Sequence, residues 1–240
     1  MEAVKESGLY AKPIYRLAGD RGFLVEFGKG IDPRINSKVR TMARALEKNK
    51  HGGIREIIPT YRSLLLIYDP EITNPDRLCP LIEQAGNTLE NQEDSPCNIV
   101  EIPVCYGGDF GPDMENVQKA HTLTPQQVIT LHSSPEYLIY MVGFTPGFAF
   151  LGGLDEKLYT PRLETPRMLV PEGSVGIANN QTGMYPVASP GGWQIIGRTP
   201  LKLFAPDRSN PFLYKAGDKI KFMPISEQEY DLLSQKENNL

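Results

Sequence analysis

Residues 143–200 constrain this chain more than any other stretch. Ten of the 22 glycines and seven of the 21 prolines fall within these 58 residues. Such a concentration ordinarily marks a disordered or low-complexity segment. Here, however, Phe144, Phe148, Phe150, Leu151, Leu169, Val170, Val175, Ile177, Trp193, Ile195 and Ile196 are threaded through it. A disordered segment lacks the apolar side chains that offset the entropy of ordering. Two readings follow. One is a compact, loop-rich β structure with many tight turns. The other is a binding surface made of backbone that only Gly and Pro let a ligand approach.

The 240 residues, 40% hydrophobic, suffice for one large domain or two small ones. The net charge is −4 and the basic residues are dispersed. No basic cluster with interleaved aromatics occurs, so nucleic acid is not an expected partner. The longest aliphatic run, residues 64–67, is too short for a bilayer, and no membrane partner is expected. The opening residues carry no apolar stretch of the secretory kind. Cys79, Cys97 and Cys105 are odd in number without a C-x-x-C pair, which fits reduced, buried thiols in the cytoplasm.

The first part reads as α+β. Residues 14–17 and 23–27 are strand candidates. Asp32 and Pro33 cap a helix whose stripe is Ile35, Val39, Met42, Ala43 and Leu46. Residues 54–58 and 63–68 add two strands. A second helix follows Asn74 and Pro75, with Pro80 as a kink or break. The order β-β-α-β-β-α points to a small layered domain over residues 1–86. A polar, acidic linker is expected at 87–97.

The second part, 98–240, reads as mainly β. It opens with a strand at 99–104 and a Gly-rich corner at 106–112. Thr124, Pro125 and Gln127 form a capping box with a first-turn proline, so a helix runs through Leu131. Strands are expected at 137–142, 174–178, 193–196, 201–204 and 219–223. Ser226 and Glu229 form a second capping box before a short helix. Several short strands with Gly/Pro turns indicate a closed or nearly closed barrel.

Common catalytic signatures are absent. There is no G-x-x-x-x-G-K-[ST], no G-x-G-x-x-G after a strand, no H-E-x-x-H and no G-x-S-x-G. Three scattered His argue against a metal site. His132 ends a capped helix, where the macrodipole favours the imidazolium. It is either a proton carrier or a C-capping side chain. Arg162, Arg167 and Arg198 lie in the Gly/Pro region. Each is either a fork for carboxylate or phosphate or a surface ion pair with Glu164 or Glu172. Arg198 lies among Ile195, Ile196 and Leu201, where an unpaired charge is costly. Gln181, Thr182, Ser189, Gly191 and Gly192 offer amide, hydroxyl and bare backbone donors, for an anion or for turn formation alone. Trp193 is a core anchor or a stacking platform. Phe144, Phe148 and Phe150 either dock a partner protein or fill the mouth of the barrel.

Taken as one ordered string, these residues resemble a known family. Tyr106, Gly107, Gly108, Gly111, Pro112 and Asp113 are followed by a block from Gly143 to Phe148 and another from Gly173 to Ala178. Gln181, Thr182, Gly183, Tyr185, Pro186, Ser189, Pro190, Gly191, Gly192, Trp193, and then Ile196 to Pro200, complete it. The string is similar to the allophanate hydrolase subunit 1 family and resembles most its 5-oxoprolinase B-subunit group, which includes a sporulation histidine-kinase inhibitor. The block from Arg16 to Phe27 also fits. The resemblance implies a small N-terminal α/β domain and a cyclophilin-like β-barrel. It implies work beside 5-oxoprolinase subunits A and C in opening 5-oxoproline to L-glutamate with ATP, at a site shared between subunits. It also implies docking to a sensor histidine kinase. Fused relatives are carboxyltransferase parts of biotin-dependent urea amidolyase, but no biotinyl-lysine segment is present here. Under this resemblance His132, Arg198 and Gln181 take catalytic roles, and Arg167, Thr182, Ser189, Gly191 and Gly192 hold substrate or phosphate. Two positions depart from the pattern. Asn179 stands where relatives have Gly, and Ala149 where Pro is common.

Overall fold

The structure is a computed structural model that describes residues 8–48, 51–89 and 97–238. The chain divides into two compact units, Met1–Pro96 and Cys97–Leu240.

The first unit runs β1 (Leu9–Ala18), β2 (Gly22–Gly28), α1 (Pro33–Lys48), β3 (Ile54–Pro59), β4 (Ser63–Tyr68) and α2 (Pro75–Leu89). Its four strands form an antiparallel sheet in the order β1-β2-β4-β3. Strand alternation puts Phe23, Val25 and Phe27 of β2, and Leu64, Leu66 and Tyr68 of β4, on one face. That face meets Ile35, Val39, Met42 and Leu46 of α1 and Leu78, Ile82 and Ala85 of α2. Asp32 caps α1 by accepting the Arg34 N–H at 2.8 Å. Asn36 is fully buried; its amide donates to the carbonyls of Thr60 and Tyr61 at 3.2 Å each. It thereby ties α1 to the β3–β4 turn. Helix α2 contains Pro80 and continues to Leu89, so residues 87–89 are helical rather than linker. Its buried stripe outweighs the one backbone hydrogen bond that proline removes. Residues 90–96 of the expected linker lie outside the described residues.

The second unit runs β5 (Ile99–Tyr106), α3 (Met114–His121), α4 (Pro125–Ser133), β6 (Tyr137–Val142), β7 (Ala149–Gly152), β8 (Arg167–Val170), β9 (Ser174–Ala178), β10 (Gln181–Met184), β11 (Ser189–Gly191), β12 (Gln194–Arg198), β13 (Lys219–Ile225) and α5 (Glu227–Asn238). Seven strands form one sheet, β10-β9-β12-β5-β13-β6-β7. Its two end strands, β7 and β10, come back against each other, so the sheet is nearly closed and barrel-like. The β5–β13 pair is parallel and brings Lys219 opposite Ile99. Strands β8 and β11 form a separate two-stranded ribbon.

Both expected capping boxes are present. Thr124 and Gln127 exchange side-chain and backbone bonds at the start of α4, as do Ser226 and Glu229 before α5. Residues 201–204, expected as a strand, make a loop instead, with one isolated bridge from Phe204 to Phe212. That loop is held from α5, where Glu237 accepts the Lys202 N–H at 3.1 Å and Arg208 Nη2 at 2.7 Å.

The sheet has two differently used faces. Inside lie Ile102, Val104, Tyr137, Ile139, Val175, Ile177, Ile196, Ile220 and Phe222. Outside, Phe148, Val170, Ala178, Tyr185, Trp193 and Ile195 form a second cluster. Two glycines explain how a tryptophan fits there. Gly176 and Gly183 are cross-strand partners, and a Cβ on either would crowd Trp193 within 3.1–3.2 Å. Together they make a bare floor on which the indole lies.

Candidate functional site

The inner face carries a fully paired polar line. His132, at the end of α4, is completely buried. Its ring lies 4.6 Å from that of Phe222, nearly parallel. The Tyr106 hydroxyl is 2.8 Å from Nδ1, and Thr182 Oγ1 is 2.8 Å from Nε2. The Thr182 hydroxyl donates its proton to the Gly176 carbonyl at 3.1 Å. Since a carbonyl can only accept, Nε2–H donates to Thr182 and Nδ1 accepts from Tyr106. Burial pushes the imidazole down to about 3 and raises the Tyr106 hydroxyl well above the ordinary phenol range. The macrodipole expectation of a charged ring is therefore overridden by desolvation. Nor does the ring cap its helix, because both nitrogens bond side chains across the barrel. The line ends on a backbone carbonyl and offers no exit for a proton.

Strand alternation separates the expected catalytic trio. Thr182 pairs with Ile177 and faces inward with His132. Gln181 pairs with Ala178, on the outer face. Arg198 is also on the outer face but opposite Ser174 and Cys105, at the other end of β9. Its guanidinium lies against the Tyr230 hydroxyl of α5. Its Nε and the neighbouring Ser174 Oγ are buried without a hydrogen-bond partner. Cys105 is buried beside them, and burial raises its thiol.

A second polar group gathers where the β8–β11 ribbon crosses the outer face. Arg167 Nη2 donates to Asp113 Oδ1 at 2.6 Å. The other Asp113 oxygen accepts the Ile195 N–H at 2.7 Å. Asn116 donates to Gln194 Oε1 at 3.0 Å, and Gln194 donates to the Pro161 carbonyl at 3.0 Å. Arg167 Nη1 is buried and has no partner. Gly191 pairs with Arg167 across the ribbon, so both present the same face. A Cβ at Gly191 would overlap the Tyr185 hydroxyl, so that hydroxyl lies against the ribbon. Burial raises the Tyr185 hydroxyl, while the backbone N–H of Trp193 and the charges of Arg162 and Arg167 pull it back. Ser189 is half-buried at the far end of β11, opposite Val170. Gly192 accepts the Leu163 N–H at 2.8 Å.

Sequence reasoning singled out Arg167, Gly191 and Gly192 but missed Asp113 and Tyr185 as site residues. Asp113 precedes α3 yet makes no side-chain cap, so its carboxylate is available to Arg167, 54 residues away.

The aromatic loop divides as well. Phe148 is buried among Phe150, Tyr185 and Trp193, with ring centroids 5.0–5.9 Å apart. Phe150 is half-buried. Phe144 alone projects, 79% exposed, on a left-handed backbone with φ 71°. As a docking surface the trio therefore reduces to Phe144. Phe148 is committed to the cluster.

The carboxyltransferase domain family, subdomain C and D, matches residues 13–214. The chain belongs to that family. The B subunit of 5-oxoprolinase from Bacillus subtilis (strain 168) is 44% identical over 230 residues, covering 92% of this chain and 96% of that protein. Its namesake from Escherichia coli O157:H7 is 46% identical over 214 residues, covering 88% and 95%. The crystal structure of TTHA0988 superposes over 86% of this chain with a TM-score of 0.77 and 35% identity; this chain spans 40% of that longer one.

In this carboxyltransferase-family chain, Asn179 sits at φ 53°, a left-handed conformation that Asn tolerates. Ala149 opens β7 and is fully buried. Among the described residues no three His, Cys, Asp or Glu side chains gather as a metal site, and no helix is long and apolar enough to cross a membrane. A triphosphate finds little free charge in the Arg167 group, whose guanidinium is already paired with Asp113.

Proposed function

We propose that this chain is the B subunit of a cytoplasmic, ATP-dependent 5-oxoprolinase that opens 5-oxoproline to L-glutamate together with subunits A and C. One observation carries this reading: two proteins named as 5-oxoprolinase B subunits match it at 44% and 46% identity along nearly their whole length. The site's chemistry supports it. Lactam hydrolysis requires carbonyl activation, a water nucleophile and protonation of nitrogen. The described residues offer anion-binding groups but no paired nucleophile and base, as a subunit inactive alone would. ATP then binds at a site completed by another subunit. Residues 1–86 and 98–240 are read as an α+β domain and a cyclophilin-like barrel. A urea or allophanate carboxyltransferase role ranks behind, because the relatives of matching length carry the oxoprolinase name.

The test is reconstitution. Subunits A and C with this chain are expected to release glutamate from 5-oxoproline in the presence of ATP, and omission of this chain abolishes release. Equal release without it overturns the proposal. A second reading, inhibition of a sensor histidine kinase, rests on Phe144 and on the exposed Met168 and Leu169 of β8. It predicts that kinase autophosphorylation falls on adding this chain and recovers with Phe144→Ala. Unchanged autophosphorylation at micromolar chain removes it.

A further inference from the structure

The most exposed large apolar side chains among the described residues are Met168 at 87%, Phe144 at 79%, Leu17 at 68% and Leu169 at 64%. Leu17 belongs to the first unit. The other three belong to the second unit and border one structure, the outer aromatic cluster that holds Phe148, Val170, Tyr185 and Trp193. The Phe144 ring meets that of Phe148 edge-on at 5.9 Å. Met168 and Leu169 lead into the cluster along β8, and Met168 shares a strand face with the buried Val170. One exposed apolar residue needs no explanation, but a set gathered round one apolar cluster marks an interaction surface.

Phe144 is also fixed in place at a cost. Its φ of 71° is one that a bulky residue adopts only when its surroundings impose it. Here they do. The Thr145 N–H donates to the Gly143 carbonyl at 2.9 Å, the Phe148 N–H to Thr145 at 3.0 Å and the Gly143 N–H to Phe148 at 3.0 Å. The Tyr214 hydroxyl donates to the Gly147 carbonyl at 2.7 Å. The loop is therefore braced and its ring is held out into solvent. A ring presented in this way loses little conformational freedom when a partner covers it, and fixed aromatics are frequent hot spots of binding.

The occupant follows from chain length. This fold makes up 40% of the TTHA0988 chain, yet the Bacillus subtilis B subunit is matched over 96% of its length. The same fold thus occurs by itself and joined to a larger remainder, and a segment attached in one relative is a separate partner in another. We propose that the outer aromatic cluster and its rim seat the subunit whose sequence matches the remainder of TTHA0988. Phe144 enters an apolar pocket on that subunit, and Met168 and Leu169 pack beside it. The inference rests on the proposed multi-subunit activity and assigns a face to one of its partners.

The full chain is titrated calorimetrically with that subunit. Phe144→Asp and Met168→Asp are each expected to weaken binding about tenfold or more, and the double variant to abolish it. Leu17→Asp, equally exposed but in the other unit, leaves binding unchanged. Phe144→Gly, which relieves the backbone as it removes the ring, weakens binding without loss of melting temperature. Undiminished binding by the double variant, or equal loss with Leu17→Asp, overturns the face while the oxoprolinase reading stands on glutamate release. Self-association that the double variant breaks, with no subunit bound, gives the face to a second copy and overturns the proposal. Loss of kinase inhibition with subunit binding intact overturns it too. If the subunit binds through this face but the full complex releases no glutamate, the face stands and the oxoprolinase reading fails.

Discussion

The two faces of the barrel sheet solve opposite problems. On the inner face, Tyr106, His132, Thr182 and the Gly176 carbonyl form a closed line in which every donor finds an acceptor. On the outer side, all three unpartnered buried atoms of the described residues are found, two of them on guanidiniums. A satisfied buried network rigidifies and specifies a core, whereas an unsatisfied one persists where a ligand or partner completes it. The contrast ties stability to the inside and leaves the outside with groups that a water, a ligand or a partner would complete, although the sequence placed candidate residues of both kinds in one string.

The largest effect that tests this division comes from His132→Leu. It leaves the Tyr106 hydroxyl buried without an acceptor and is expected to cost about 3–5 kcal/mol, read by urea denaturation. The surviving folded fraction should bind partner subunits normally. Full stability with lost activity would instead make the inner face the working one. The pH dependence comes next. The ring titrates near 6.5 when unfolded and at about 3 when folded. The unfolded chain therefore binds more protons between those values, and stability is full above pH 6.5 and falls as pH drops toward 3. The loss is at most about 1.4 kcal/mol per unit. His132→Asn should flatten that slope relative to the unaltered chain in acid titrations followed by circular dichroism. A parallel slope in both proteins would show that other groups govern the acid limb.

On the outer face, Gly183→Leu should lift Trp193 off its floor and cost about 1–3 kcal/mol by overpacking, with a red-shifted emission. An unshifted spectrum would mean that the indole does not depend on the glycine pair. The smallest expected effect has the opposite sign. Phe144 holds a left-handed backbone that a bulky residue adopts at a cost. Phe144→Gly should therefore raise stability by about 1 kcal/mol while removing the projecting ring from any docking surface. Lower stability would show that the ring packs more than its 79% exposure indicates.

The first unit was legible in the sequence because its signals are periodic. Val25 and Phe27 flank Glu26 in a run of strand-forming residues, and the α1 stripe repeats at helical spacing. The second unit was legible where caps or apolar strand runs survive, as at Thr124 and in β6, and at β9 between its flanking turns. Helix α3 escaped because Asp113 turns its carboxylate to Arg167 and Ile195 instead of capping. Strands β10 and β11 escaped because Gly183 and Gly191 interrupt alternation; each is glycine to clear an aromatic side chain. The site failed to read for a related reason. Which side of a strand a residue takes depends on register, so Gln181 and Thr182, adjacent in sequence, end on opposite faces. His132 looked charged because a helix end is a local feature, whereas its burial under Phe222 is a tertiary one.

The parallel pairing of β5 with β13 has a consequence for how the chain comes off the ribosome. Strand β13 occupies a central place between β5 and β6, and Lys219 meets Ile99 across 120 residues. Until residue 225 has emerged, the strands already made have no middle, and the aromatic outer cluster stands on an unclosed sheet. Closing so long a loop is slow. Once β12 has been made and until β13 follows, the nascent second unit therefore holds two half-sheets with bare edges open to non-native pairing. The first unit, whose strands all pair within residues 9–68, is free to fold long before.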